Sequence, residues 1–123
     1  MTSEHPTLTA ASSYSALYQG LTEPVWVIDP ESARFLDANG HAVQQLGFTP
    51  QEIVSMGVSD INKTVSDQSA WKALAASMKP QQTVVYMAEL VCKSGDTISV
   101  EISLTMEHVN GSPVFLAVTR TQQ

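Results

Sequence analysis

The sequence predicts an α+β domain in which short helices cover one face of a single antiparallel sheet. Three observations lead to this expectation. Short apolar runs stand near the start, clear helix signals fill the middle, and a period of two governs the last third. The predicted order is a helix, two strands, three short helices and three longer strands. Because strands and helices are segregated along the chain, an α+β architecture is favoured over alternating α/β units.

The composition fits one ordered globular domain and argues against several kinds of partner. The chain has 123 residues, of which 43% are hydrophobic and 15% charged. Its net charge is −6, and its 6 basic residues form no cluster. Nucleic acids and anionic membranes attract clustered positive charge, so we expect neither nucleic-acid binding nor direct membrane contact. No signal-peptide pattern or apolar run of roughly 20 residues is present, so we expect a cytoplasmic location.

The N-terminal part is predicted to be a lead-in and a flanking helix over residues 1–20, with the main domain over residues 21–121. Apolar side chains recur at intervals of three and four within residues 10–21, which is typical of an amphipathic helix. The residues that form this stripe are Tyr14, Leu17, Tyr18 and Leu21.

Two short strands and a strongly marked helical region follow. Residues 25–28 and 35–38 are apolar runs separated by a polar turn, which indicates a hairpin. Asn39 can cap a short helix that ends at Gly47. The run Thr-Pro-Gln-Glu at residues 49–52 matches a capping box with proline at the first helical position.

A third helix and three alternating strands complete the predicted fold. The helix begins near Ser66 or Asp67 and ends before Pro80. From Thr83 the period becomes two, and Asn110 with Gly111 gives a strong hairpin signal before the last strand. The fourth strand alternates throughout, with one apolar face made of Ile98, Val100, Ile102, Leu104 and Met106.

Five motifs in this order resemble the PAS family over about residues 21–120. They are VWVIDP at 25–30, FLDAN at 35–39, LGFTPQEI at 46–53, SDI at 59–61 and the turn KSGD at 93–96. The resemblance implies a five-stranded antiparallel sheet curled around a pocket that short helices cover, with the N-terminal helix flanking it. Two segments depart from the family pattern, the run NKTV after the SDI motif and the pair Arg120 and Thr121 near the end.

The resemblance also implies a function. We expect a non-catalytic sensory module of a bacterial signal-transduction protein, such as a two-component histidine kinase or a cyclic-dinucleotide enzyme, with the effector domain in the parent chain. It would act through small-ligand binding, dimerisation or both. The alternative is a redox or light sensor that binds flavin or another cofactor. An enzyme ranks below both, because no nucleophile, phosphate-binding or zinc motif occurs, and His5, His41 and His108 are scattered.

The expected pocket residues are apolar or aromatic, and core filling is favoured for Trp71, because the apolar helix face that carries it needs no ligand to explain it. We expect no cofactor or metal, although an unknown small molecule stays open. Haem-binding relatives carry a histidine on the helix that here holds Trp71, and light-sensing relatives carry an adduct cysteine on a helix. The only cysteine, Cys92, instead continues a strand pattern, which favours a place in the core. The candidate pocket residues are Trp71, Leu74, Met78, Tyr86 and Leu104.

A homodimer is the expected assembly. An apolar helix stripe outside the core fold needs a covering surface, and a two-fold pair of helices can supply one. Trp26 on the first strand either faces such an interface or fills the core. The candidate interface residues are Tyr14, Leu17, Tyr18, Leu21 and Trp26.

Overall fold

A computed structural model describes residues 14–65 and 67–122. Within these residues five strands and four helices follow one another. The strands come in the order that the sequence predicts, but four helices lie between the second and third strands where three were predicted. The elements are β1 (Val25–Ile28), β2 (Phe35–Ala38), α1 (Gly40–Leu46), α2 (Pro50–Val54), α3 (Val58–Ile61), α4 (Gln68–Ser77), β3 (Thr83–Val91), β4 (Thr97–Val109) and β5 (Ser112–Thr121).

The strands form one five-stranded antiparallel sheet in the order β2-β1-β5-β4-β3. The first hairpin joins the three long strands through the pairing of β1 with β5, in which Trp26 lies opposite Ala117. All four helices lie in the connection from β2 to β3. Their buried side chains belong to the same core cluster as the inner face of the sheet. The predicted α+β fold with short helices on one face is therefore confirmed.

The helix signals read from the sequence are also confirmed. The Asn39 side chain accepts a hydrogen bond from the Ala42 N–H at 3.0 Å, and Gly47 ends α1 with a φ of 87°. Thr49 and Glu52 form the reciprocal bonds of a capping box at 3.2 and 2.8 Å. These signals are visible in the sequence because each one acts within a few residues.

Helix α3 was not predicted, because Gly57 reads as the end of α2 rather than the start of another helix. It is a single turn, in which the Asp60 carboxylate accepts from the Gly57 N–H at 2.8 Å. A Cβ atom at Gly57 would lie 3.0 Å from the Ala33 carbonyl oxygen. A side chain here would crowd the Ala33 carbonyl, which favours glycine at the N-cap of α3, whereas α2 ends at Val54 with Ser55 as its C-cap.

The predicted N-terminal helix is not seen in the described part of the chain, and residues 1–13 lie outside it. Tyr14 and Ser15 are helical, whereas residues 16–20 form turns. The Leu17 N–H bonds to the Tyr14 carbonyl at 2.9 Å, an interval of three that tightens the backbone. Gly20 then takes a φ of 89° and turns the chain towards β1. The stripe residues therefore do not lie on one regular helical face.

The core lies between the inner face of the sheet and the helices. Val100, Ile102 and Leu104 on β4 are at most 3% exposed, and Ser103 points to the outer face. No helix in residues 14–65 and 67–122 is long and apolar enough to cross a membrane.

We predict that Leu104→Ala lowers the free energy of unfolding by about 2–5 kcal/mol, because the substitution leaves a cavity in a packed core. Ser103→Ala is the matched control. Ser103 is the neighbouring residue on β4, and its hydroxyl accepts a 3.3 Å hydrogen bond from the exposed side chain of Arg120. This substitution should change the free energy of unfolding by at most about 0.5 kcal/mol. Urea unfolding measures both values. Equal losses at the two positions would contradict the inward orientation of Leu104.

Candidate ligand cavity

A cavity of about 30 Å³ lies in the core, between the inner face of the sheet and helices α3 and α4. It has room for very few atoms, since one water molecule needs roughly 10–15 Å³ and drug-sized ligands occupy roughly 300 Å³ or more. No charged side chain lines it among the residues that the structure describes. Most of its wall is apolar, including Trp26, Phe35, Ile61, Trp71, Leu104 and Ala117.

Two tryptophans contribute to the aromatic part of the wall together with Phe35 and Tyr86. Trp26 comes from the middle of β1, and its ring lies 5.1 Å from that of Phe35. Trp71 comes from α4 and meets Phe115 edge to face at 5.4 Å. The indole N–H of Trp71 donates to the Pro30 carbonyl oxygen at 2.7 Å. This bond fixes the ring while leaving its face available to an occupant.

The first polar position on the wall is Thr119, which is 2% exposed. Its hydroxyl accepts from the indole N–H of Trp26 at 3.0 Å and donates to the Gln45 side-chain oxygen at 2.8 Å. The hydroxyl therefore satisfies a buried donor and keeps its own proton bonded. Together these three side chains form a polar group at the junction of β1, β5 and α1.

The second polar position combines Asn62 and Tyr86. The Asn62 side-chain oxygen accepts from the N–H groups of Thr64 and Val65 at 2.9 and 3.0 Å, which closes a turn after α3. Burial raises the pKa of Tyr86, and hydrogen bonding with the Asn62 side chain opposes that shift. Tyr86 is consequently neutral at physiological pH, so its hydroxyl keeps a proton to donate.

Three of the five residues predicted for a pocket line this cavity, namely Trp71, Tyr86 and Leu104. Met78 is 6% exposed and belongs to the core, and Leu74 is half-buried against it. Neither of these two lines the cavity. Whether the cavity takes a ligand stays a prediction.

Sequence reasoning did not place Trp26, Asn62 and Thr119 in the cavity wall. The position of Thr119 could have been predicted from the alternation along β5, because Thr119 lies on the same face of the strand as Phe115 and Ala117. Asn62 gave a weaker signal, because it begins the segment that departs from the family pattern.

The interpretation of Trp26 as an interface residue has to be corrected. Its side chain is 1% exposed and belongs to the core, where it contacts Phe35 and Thr119. The other candidate interface residues remain accessible, with Tyr14, Leu17 and Tyr18 half-buried and Leu21 42% exposed.

Cys92 packs partly buried against the core, as the strand pattern predicts. Burial raises the pKa of its thiol, and the nearby negative charge of Asp96 raises it further. The thiolate is the reactive form, so this environment disfavours a redox or adduct role. The described residues contain no group of three or more histidine, cysteine or acidic side chains that could hold a metal ion.

Comparison with known proteins gives consistent results. The family model described as the PAS fold matches residues 12–121. A curated relative is the methyl sulfide methyltransferase-associated sensor of Methanosarcina acetivorans, 22% identical over 110 residues. That match covers 87% of this chain but only 11% of the relative.

Two solved structures show the same fold at low sequence identity. The PAS domain of an HTR-like protein from Haloarcula marismortui has a TM-score of 0.79 and 18% identity, with 97% of each chain covered. A domain of a sensory box sensor histidine kinase/response regulator from Geobacter sulfurreducens has a TM-score of 0.68 and 21% identity. The match covers 93% of this chain and 96% of that domain. The chain belongs to the PAS family and is a PAS sensory domain.

Proposed function

We propose that this PAS domain is a non-catalytic sensory module whose signal is a small neutral molecule bound in the core cavity. The observation that carries the proposal is a small, mostly apolar core cavity whose described wall presents hydroxyl and amide groups but no charged side chain. The parent protein would be a bacterial signal-transduction protein, with the domain regulating a histidine kinase or a cyclic-dinucleotide enzyme.

The sensory role is supported by the roles for which similar proteins are named. The curated relative is named a sensor, and one structural neighbour is a domain of a sensor histidine kinase/response regulator. Since the chain matches only 11% of the curated relative, these names support a role for the module and leave its effector to experiment.

The ligand class follows from the chemistry of the wall. Burying an ion without a partner is very unfavourable, and the described wall offers no opposite charge to a carboxylate, phosphate or ammonium group. A neutral molecule avoids this penalty. Asn62, Tyr86 and Thr119 can hydrogen-bond its polar atoms, while the tryptophans contact its apolar surface.

The alternative of a flavin sensor ranks lower for a reason of size. A flavin ring system needs far more space than about 30 Å³, so Trp26 and Trp71 would have to leave their present positions. Each indole N–H is hydrogen-bonded where it stands, at 3.0 and 2.7 Å, and such a movement would break both bonds. An absorption spectrum of the purified protein distinguishes the two candidates, because flavins absorb visible light.

We predict that acetamide shifts the indole N–H resonances of Trp26 and Trp71 in a ¹H–¹⁵N NMR titration, whereas acetate does not. The two molecules have nearly the same shape but differ in charge. A difference in their binding therefore reports whether a wall without charged groups excludes a charged ligand. Binding will be weak, because a ligand of four heavy atoms gains at most about 6 kcal/mol.

The matched control is Ala117→Val, which adds two carbon atoms to the cavity wall opposite Trp26 on the neighbouring strand. This variant should lose the acetamide response while keeping the dispersed spectrum of a folded domain. The ligand proposal would be overturned if acetate matched acetamide, if Ala117→Val responded like the parent, or if no indole signal moved.

Dimerisation is the second part of the proposal. We propose a homodimer in which the N-terminal segment around Tyr14, Leu17, Tyr18 and Leu21 packs with the outer face of the sheet. Val85 and Met87 on the edge strand β3 are 57% and 54% exposed, although both are large and apolar. The Tyr18 hydroxyl donates to Asp37 of the other edge strand at 2.7 Å, which supports a position of this segment over the sheet.

We predict a dimer by light scattering at high micromolar concentration and a monomer after deletion of residues 1–20. Replacing Val85 and Met87 by serine should also weaken the dimer, because it removes apolar area from the outer face. A monomeric full chain would refute the dimer. A dimer that survives the deletion would exclude the N-terminal segment as its interface.

A further inference from the structure

We propose that Gln45 couples the cavity to the end of β5, so that the state of the Thr119 hydroxyl determines how firmly that strand end is held. The role of a ligand in this device rests on the proposed function, whereas the coupling itself is a property of the protein alone.

The Gln45 side chain makes three hydrogen bonds to β5. Its amide NH₂ donates to the Thr119 carbonyl oxygen at 2.9 Å and to the Thr121 hydroxyl at 3.1 Å. Its amide oxygen accepts from the Thr119 hydroxyl at 2.8 Å. A half-buried side chain of α1 thus holds Thr119 and Thr121 near the end of β5, which lie 74 and 76 residues away in sequence.

Of the two threonines that Gln45 contacts, Thr119 also lines the cavity and Thr121 does not. We take the Thr119 hydroxyl as the group that an occupant would meet. This hydroxyl has a single proton, which at present goes to Gln45, and it accepts from the Trp26 indole. A ligand that offers an acceptor to this proton competes with Gln45 for it. The hydroxyl therefore has two alternative arrangements, one bonded to Gln45 and one bonded to the occupant.

The consequence is expected at the end of β5. When the Thr119 proton leaves Gln45, the amide of Gln45 loses the bond that orients it towards Thr119 and Thr121. The following residue, Gln122, is held by a single described backbone bond, from its N–H to the Ser99 carbonyl at 2.9 Å.

The strand before Gln122 is also held by its ladder to β4 and by the ion pairs of Arg120 with Glu23 and Glu101. The Gln45 bonds are therefore one restraint among several. Weakening this restraint should raise the rate at which the chain opens at Gln122.

Three variants and two NMR signals test the coupling in the protein without ligand. Gln45→Ala should shift the indole N–H resonance of Trp26, which Gln45 reaches only through Thr119, and leave that of Trp71 in place. Thr119→Val should speed hydrogen exchange of the Gln122 amide about five-fold or more, the lower range of typical coupling between sites. Thr119→Ser keeps the hydroxyl and should restore slow exchange.

The matched control is Gln44→Ala, which truncates the exposed neighbouring glutamine on the same helix. It should alter neither signal. The coupling is refuted if Gln45→Ala leaves the Trp26 resonance unchanged, because a purely local restraint of β5 would affect Gln122 alone. It is also refuted if Gln44→Ala reproduces the effects of Gln45→Ala. If Thr119→Val does not fold, the Gln45→Ala comparison decides alone.

Acetamide separates the two proposals. If acetamide binds in the cavity and leaves Gln122 exchange unchanged, the ligand's control of the coupling is wrong and the ligand proposal stands. If acetamide does not bind while the variants behave as expected, the coupling stands and the ligand proposal is wrong.

Discussion

The hydrogen bond between the Trp26 indole and the Thr119 hydroxyl is the interaction on which the rest of this structure depends. Trp26 is 1% exposed, and a buried N–H without a partner destabilises a fold by about 1–3 kcal/mol. The Thr119 hydroxyl satisfies this donor and ties β1 to β5. That pair of strands joins the first hairpin to the three long strands. The same bond holds the Trp26 ring in the cavity wall. The Thr119 hydroxyl donates its own proton to the Gln45 side-chain oxygen. Thr119 therefore contributes to the pairing of β1 with β5, to the wall of the cavity and to the contact between β5 and Gln45.

The core contains buried polar side chains among its apolar ones. Asn62 and Thr119 are 4% and 2% exposed, and both are bonded to neighbouring backbone or side chains. Polar groups in an apolar core restrict the arrangements that the core can adopt. Under the proposed function they would also give the cavity a preference for neutral polar ligands, because hydroxyl and amide groups can hydrogen-bond neutral polar atoms. A domain of this kind can respond to an occupant by exchanging one hydrogen bond for another, without unfolding any element.

The features that the sequence predicts correctly are those with local causes. Asn39 and the Thr49–Glu52 capping box act within three residues, and Leu104 lies within an uninterrupted alternation. Trp26 could not be oriented from sequence, because all four residues of β1 are buried and such a run has no polar face. The bond from Trp26 to Thr119 joins residues 93 positions apart, so only the pairing of β1 with β5 reveals it. The single turn of α3 is too short to show a helical period.

The proposed function requires the core cavity to accept a neutral molecule that meets the polar groups on its wall. A crystal structure of the full chain in saturating acetamide tests this most directly. We predict acetamide inside the cavity, within hydrogen-bonding distance of Tyr86, Asn62 or the Thr119 hydroxyl, with both indoles in contact with it. Acetamide bound only at the protein surface, around a cavity that holds water or has closed, would contradict it.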